Sequence, residues 1–89
     1  MIKIVTAIYD SKAEMYGQPF LMRTRGEAVR GFIDVANDKK TEIGVHPEDF
    51  SLWYIADYDE SKGKFLEVKP VCLGQAIELQ NYDKEREQK

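Results

Sequence analysis

Thr24-Arg25-Gly26-Glu27-Ala28-Val29-Arg30-Gly31-Phe32-Ile33-Asp34-Val35-Ala36-Asn37-Asp38 is the stretch on which the fold turns. Its first four residues match a capping box: a threonine oxygen accepts from the first helical turn, and a glutamate three residues on reaches back. Behind the box, Ala28, Val29, Phe32, Ile33 and Ala36 recur at helical spacing, so one stripe of the helix must face a core. Arg30 stands three residues after Glu27 and four before Asp34, which puts all three on the polar face as a modest ion-pair ladder. Asn37-Asp38 ends the run, and Lys39-Lys40 fall where cations complement the negative end of the helix dipole. Gly26 and Gly31 each cost about 1 kcal/mol relative to alanine. Packing, not propensity, has to hold this helix.

The flanking segments read as strands. Lys3-Ile4-Val5-Thr6-Ala7-Ile8-Tyr9 is β-branched and aromatic, the composition of a largely buried strand. Asp10-Ser11-Lys12-Ala13-Glu14 is a polar turn, with Ser11 and Glu14 a candidate capping pair. Gly17-Gln18-Pro19 punctuates the chain before a short strand, Phe20-Leu21-Met22-Arg23, whose leading proline suits a sheet edge. After the helix, residues 41–50 read as a loop in which His46-Pro47-Glu48-Asp49 makes a tight or 3₁₀ turn. Ser51 to Tyr58 alternates as a strand, with Trp53, Ile55 and Asp57 on one side and Leu52, Tyr54, Ala56 and Tyr58 on the other. Asp59 to Gly63 is a hairpin loop with Gly63 in the left-handed position, and Lys64 to Val68 returns as the partner strand. Pro70 is expected to break that strand, and Val71 to Leu79 is open between a bent edge strand and a short helix. The order strand, strand, helix, hairpin predicts an α+β fold: an antiparallel sheet of about four strands with one main α-helix packed on one face. Residues 1–80 form a single domain, and residues 81–89, with six charges in nine positions, form a frayed tail.

Composition narrows the class. The chain has 89 residues, 43% hydrophobic and 33% charged, the balance of an ordinary soluble globule. One cysteine excludes an internal disulfide framework, and the lone histidine with Cys72 cannot assemble a zinc site in one chain. The longest apolar run, Leu52 to Ala56, is far too short to cross a bilayer. Lys3 interrupts the apolar N-terminal segment and no small-residue cleavage site follows, so a signal peptide is not expected. With no asparagine glycosylation acceptor either, a reducing, intracellular setting is the expectation. The net charge is −3 and the pI about 5.1, which argues against a histone-like coat for nucleic acid. Charge is uneven, however: +2 over residues 1–41 and −5 over residues 42–89. That asymmetry steers a polyanion to one face, or is the scatter of a short sequence.

Catalytic chemistry has little to stand on. His46 has no serine or cysteine at a recognisable spacing, and the acid pairs Asp10/Glu14 and Glu48/Asp49 read as turn caps. Cys72, between Val71 and Leu73, reads as a small buried hydrophobe. No phosphate-cradling glycine loop is present. No enzyme activity, metal or cofactor is expected. Nucleic-acid contact has a better case. Arg23, Arg25, Arg30, Lys39 and Lys40 lie on the second strand and along the helix, and the first two flank a helix N-terminus whose N–H groups favour phosphate. A solvated, salt-bridged face accounts for the same arginines. Tyr9, Tyr16, Trp53, Tyr54 and Tyr58 are candidate stacking platforms. Some of these rings must instead be core, since Trp53 and Tyr54 fall on opposite faces and at most one lies under the helix. A sheet covered on one side also leaves an apolar face suited to a homodimer or another protein partner.

Several segments taken in order carry a resemblance: Ala7-Ile8-Tyr9-Asp10-Ser11-Lys12-Ala13, Pro19-Phe20, Gly26-Glu27-Ala28-Val29-Arg30-Gly31-Phe32 and Val35-Ala36-Asn37-Asp38. His46-Pro47-Glu48-Asp49-Phe50-Ser51-Leu52-Trp53 and Asp57-Tyr58-Asp59 with Gly63 follow. Together they resemble the small nonstructural protein of gokushovirus-type microviruses, phages with circular single-stranded DNA genomes. The resemblance spans residues 4 to 76. It implies a non-catalytic DNA-binding protein of the infected host's cytoplasm, absent from the mature virion. Its implied role lies in single-stranded genome synthesis or packaging. On that reading Arg23, Arg25, Arg30, Lys39 and Lys40 contact phosphate while Trp53 or Tyr54 stacks on bases. The expected partners are single-stranded DNA, a second copy of the chain, and phage or host replication and packaging proteins, with no membrane. The alternative is a dimeric adaptor acting through an open sheet face without DNA.

Overall fold

The structure, a computed structural model, describes residues 1–80. Its elements are β1 (Ile2–Asp10), β2 (Met15–Tyr16), β3 (Phe20–Met22), α1 (Arg25–Ala36), α2 (Glu42–Val45), a 3₁₀ turn (Pro47–Asp49), β4 (Phe50–Asp59) and β5 (Lys64–Gln75). Residues 76–80 are helical. All strand pairings are antiparallel, in the order β2-β1-β4-β5, and β3 pairs with the remainder of β1's outer edge. The α+β class holds. The sheet has five strands where four were expected, the extra one being the two-residue β2, too short to carry an alternation signal. The expected tail lies outside the described residues.

The capping box forms at α1. Thr24 Oγ1 accepts from the Glu27 N–H at 3.1 Å, and Glu27 Oε1 accepts from the Arg23 N–H at 3.2 Å, one residue earlier than the usual partner. Hydrogen bonds from the Arg23 backbone and then its guanidinium hold Glu27 below the ordinary carboxylate value. At the other end, Asn37 Nδ2 donates to the Ile33 carbonyl at 3.0 Å, so the helix is closed by an amide and not by Lys39 or Lys40. Thr24→Ala removes one orphan-donor partner and is expected to cost about 1 kcal/mol. Thermal circular dichroism should then show a melting point lower by about 4–8 °C; an unchanged value would show that the cap carries no weight.

Ala28, Phe32 and Ala36 are the buried stripe of α1, meeting Phe50 and Leu52 of β4 and Ala76. Small alanines let the helix approach the sheet, while Phe32 and Leu52 fill the gap, each burial stabilising by about 1.5–3 kcal/mol. Between α1 and β3 an almost wholly apolar groove of about 300 Å³ remains, lined by Ile8, Phe20, Met22, Phe32 and Val35. Gln80 is buried and donates to the carbonyls of Ala36 at 2.6 Å and Gly44 at 3.3 Å, tying the last described turn to both helices.

Three further expectations are corrected and one left open is resolved. Asp10, not Ser11 with Glu14, organises the β1–β2 turn, its carboxylate accepting from the Lys12 and Ala13 N–H groups at 2.9 and 3.3 Å. Residues 41–50 are not all loop, because Thr41 Oγ1 accepts from Gly44 N–H at 3.0 Å and caps the short α2. Pro70 does not end β5. The strand runs on through a register shift opposite Ile55, where an unpaired proline nitrogen costs nothing on an edge. Residues 71–79 are accordingly both alternatives in turn, edge strand to Gln75 and helix from residue 76. Gly63 does take the left-handed φ of 60° in the β4–β5 loop.

Candidate nucleic-acid interface

A bulge decides which side chains share a surface. Thr6 faces Tyr54 and Val5 faces Ala56, so Ile55 is an extra residue in β4. Regular alternation would put Asp57 with Trp53; the bulge shifts the phase and puts Asp57 with Tyr54 instead. Phe50, Leu52, Tyr54 and Asp57 therefore share the helix-covered face with Ile4, Thr6 and Ile8. Ser51, Trp53, Ala56 and Tyr58 share the uncovered face with Lys3, Val5, Ala7 and Tyr9. Val5 and Ala7 are buried even there, because larger neighbours close over them.

The uncovered face is aromatic at both ends. Tyr9 pairs with Tyr16 across β1 and β2, their rings 4.8 Å apart, and Tyr16 meets the Trp53 ring edge-on at 6.4 Å. Tyr58 and Phe65, 5.1 Å apart, form a second cluster, and Phe65 is 65% exposed. Trp53 Nε1 donates to Ser51 Oγ at 2.9 Å, which holds the indole in one orientation. Cys72 lies opposite Trp53 and is exposed. That corrects its expected burial: β5 is an edge strand, and a register shift beside Leu52 turns Leu73 toward the core and leaves Cys72 on the open side.

The seven residues singled out from the sequence do not converge. Trp53 alone lies on the uncovered face. Tyr54 is 9% exposed, with the Arg25 guanidinium 4.9 Å over its ring and its hydroxyl donating to Asp57 Oδ1. That hydrogen bond, then burial, raises the phenol above its ordinary pKa. Tyr54 is thus a packed, half-core ring and not an open platform. Arg23 pairs with Glu27 at 3.2 Å. Arg30 is exposed on α1, and Lys39 and Lys40 are exposed beyond its far end, about 20 Å from the N-terminus by helix rise. The cations are strung along the helix and do not form a single patch. Tyr9 and Tyr16 belong to the cluster that the sequence signalled only as scattered aromatics. Their joint placement depends on β2, which no period could reveal.

Beside Tyr9 and Trp53 the strand ends and the 3₁₀ turn border an open hollow of about 260 Å³, also lined by Ser11, Glu48, Asp49, Phe50, Ser51 and Gln75. His46 Nδ1 stands 4.0 Å from Glu48 Oε1 in an exposed pair. No helix among the described residues is long and apolar enough to cross a membrane.

Comparison with known proteins gives the family. The family profile described as "Phage ORF5 protein" matches residues 3–79. Protein ORF5 of Chlamydia phage 1 is 39% identical over 66 residues, covering 70% of this chain and 69% of the relative. No solved structure matches. The resemblance to a small gokushovirus protein agrees with both matches. The chain belongs to the phage ORF5 family.

Proposed function

We propose that this phage protein is a non-catalytic DNA-binding module that engages single-stranded DNA through the uncovered sheet face during genome synthesis or packaging. The observation that carries the reading is the contiguous Tyr9, Tyr16 and Trp53 surface on a sheet whose other face is filled by α1. Ring faces stack on any base, contributing about 1–3 kcal/mol each without sequence readout. Phosphates need cations, and the outer edge of β1 is flanked by two. Lys12 is in the β1–β2 turn, and Arg23, whose exposed guanidinium must exchange Glu27 for a phosphate, follows β3. Along β1 these ends are about 24 Å apart, enough for several nucleotides of extended strand. Arg25, Arg30, Lys39 and Lys40 add a weaker field from the helix side. The protein acts in the host cytoplasm and is left out of the finished virion.

Trp53 is the sole tryptophan and Cys72, its cross-strand neighbour, the sole cysteine, so the face reports on itself. A short single-stranded oligonucleotide at low salt should quench Trp53 fluorescence and shield Cys72 from alkylation. With the two phosphate contacts that Lys12 and Arg23 can supply, affinity should fall with salt at a log–log slope of about −1.4. Absence of both signals at low salt would remove the reading. The second reading, a dimeric adaptor for phage or host proteins, draws on Phe65 and Leu21, both exposed on the same face. It is favoured if sedimentation shows a dimer whose Cys72 is shielded without DNA.

A further inference from the structure

The uncovered face carries a second aromatic cluster that the Tyr9, Tyr16 and Trp53 surface does not include. Tyr58 and Phe65 stand at the hairpin end of the sheet, their rings 5.1 Å apart, and Phe65 is 65% exposed. A ring left that far in water contributes little to the fold. We infer that this pair is a second base-stacking station, and that a single DNA strand lies lengthwise across the sheet face with bases on both clusters. The inference rests on the single-stranded DNA reading and adds to it the path and the length of the strand.

Three observations support it. The first is spacing. Trp53 lies opposite Ala7 and Tyr58 opposite Lys3. Ala7 and Lys3 are four positions apart on β1, about 13 Å, and Tyr9 and Lys3 are six apart, about 20 Å. An octanucleotide covers that span even at the compact rise of about 3.4 Å per nucleotide, whereas a single internucleotide step does not. The second is the track between the clusters. On β1 and β4 the intervening residues of this face are Val5, Ala7 and Ala56, with Glu67 set out on the β5 edge. A strand crosses them without stripping water from a charged side chain. The third is charge. At the Trp53 end Lys12 is outnumbered by Asp10, Glu14, Glu48 and Asp49, whereas at the hairpin end Lys3, Lys62 and Lys64 match Asp59, Glu60 and Glu67. Phosphates are repelled less at the hairpin, so a strand seated on Trp53 gains by extending toward Phe65. Lys3 is held by Glu60 at 2.9 Å. The second station therefore adds stacking and no further phosphate contact.

The test reads Trp53 quenching by octa-dT and by di-dT in the wild type, Phe65→Ala and Phe65→Tyr. Phe65→Ala is expected to bind octa-dT about tenfold more weakly, the lower part of the range for one stacked base. Its salt slope should be unchanged, because no phosphate contact is lost. Di-dT reaches only the first station and should bind the wild type and Phe65→Ala alike. Phe65→Tyr restores a ring face and should restore octa-dT binding. Thermal melts confirm that both variants fold. Equal octa-dT affinity for the wild type and Phe65→Ala overturns the second station while leaving DNA binding at Trp53 standing. An equal loss with di-dT also overturns it, by showing that Phe65 acts through the first cluster. A dimer in sedimentation that Phe65→Ala dissociates without DNA assigns the ring to a protein contact instead. No quenching by octa-dT in any of the three proteins removes the DNA reading itself.

Discussion

Gly44→Ala lowers the melting temperature by more than about 12 °C, corresponding to a loss of roughly 3 kcal/mol or more. A methyl group at this position would stand 2.0 Å from the Asp38 carbonyl oxygen and 2.6 Å from its carbon. Both atoms are backbone, so no side chain can swing aside. The same carbonyl accepts from Thr41 N–H at 3.0 Å and lies 2.8 Å from Thr41 Oγ1, while Gly44 accepts from the buried Gln80. Pushing α2 outward therefore breaks the α1–α2 turn and strands a buried amide together. Gly31→Ala is the matched control: a methyl group there meets nothing within 4 Å and sits in mid-helix, where alanine is favoured by about 1 kcal/mol. Thermal melts should move in opposite directions for the two variants. Equal shifts would mean that the packing of α2 against α1 is not as described.

Leu52→Ala is expected to cost about 3 kcal/mol, near the lower end for a leucine that loses all its packing. Leu52 is fully buried on β4, a central strand, and forms the floor against which Ala28, Phe32 and Ala76 pack. A domain this small buries a modest share of its surface, so this loss is a large part of its total stability. Urea unfolding should show a lower midpoint at nearly constant slope. Leu21→Ala is the companion measurement. Leu21 faces the other side of the sheet and is 43% exposed, so its truncation should cost less than about 1 kcal/mol. A cost equal to that of Leu52 would mean that the uncovered face is buried in solution by a second copy, and would favour the adaptor reading.

These two leucines mark the boundary between what could be read ahead and what could not. The α1 stripe, its cap, the β4–β5 hairpin and the α+β class follow from spacing and turn chemistry, which act within a few residues. Ser51 to Leu52 to Trp53 alternates visibly, so the separation of Leu52 and Tyr54 from Trp53 was legible too. Beyond Tyr54 the reading failed, because the extra residue at Ile55 flips every later side chain and has no local signature. Cys72 and Pro70 were misplaced for the same reason, since register shifts in β5 depend on which strand lies alongside.

By itself the chain's order of residues determined one amphipathic helix, a hairpin and a sheet with too few helices to cover both sides. It also determined that Trp53 and Tyr54 part company. Only the tertiary structure decided that Tyr9, Tyr16 and Trp53 meet, that Tyr54 lies under Arg25, and that the cations are spread along α1. Local rules carry information over one turn or one alternation. Bulges, short pairings and shared surfaces are instead set by contacts between residues tens of positions apart, whose energies no short window of sequence contains.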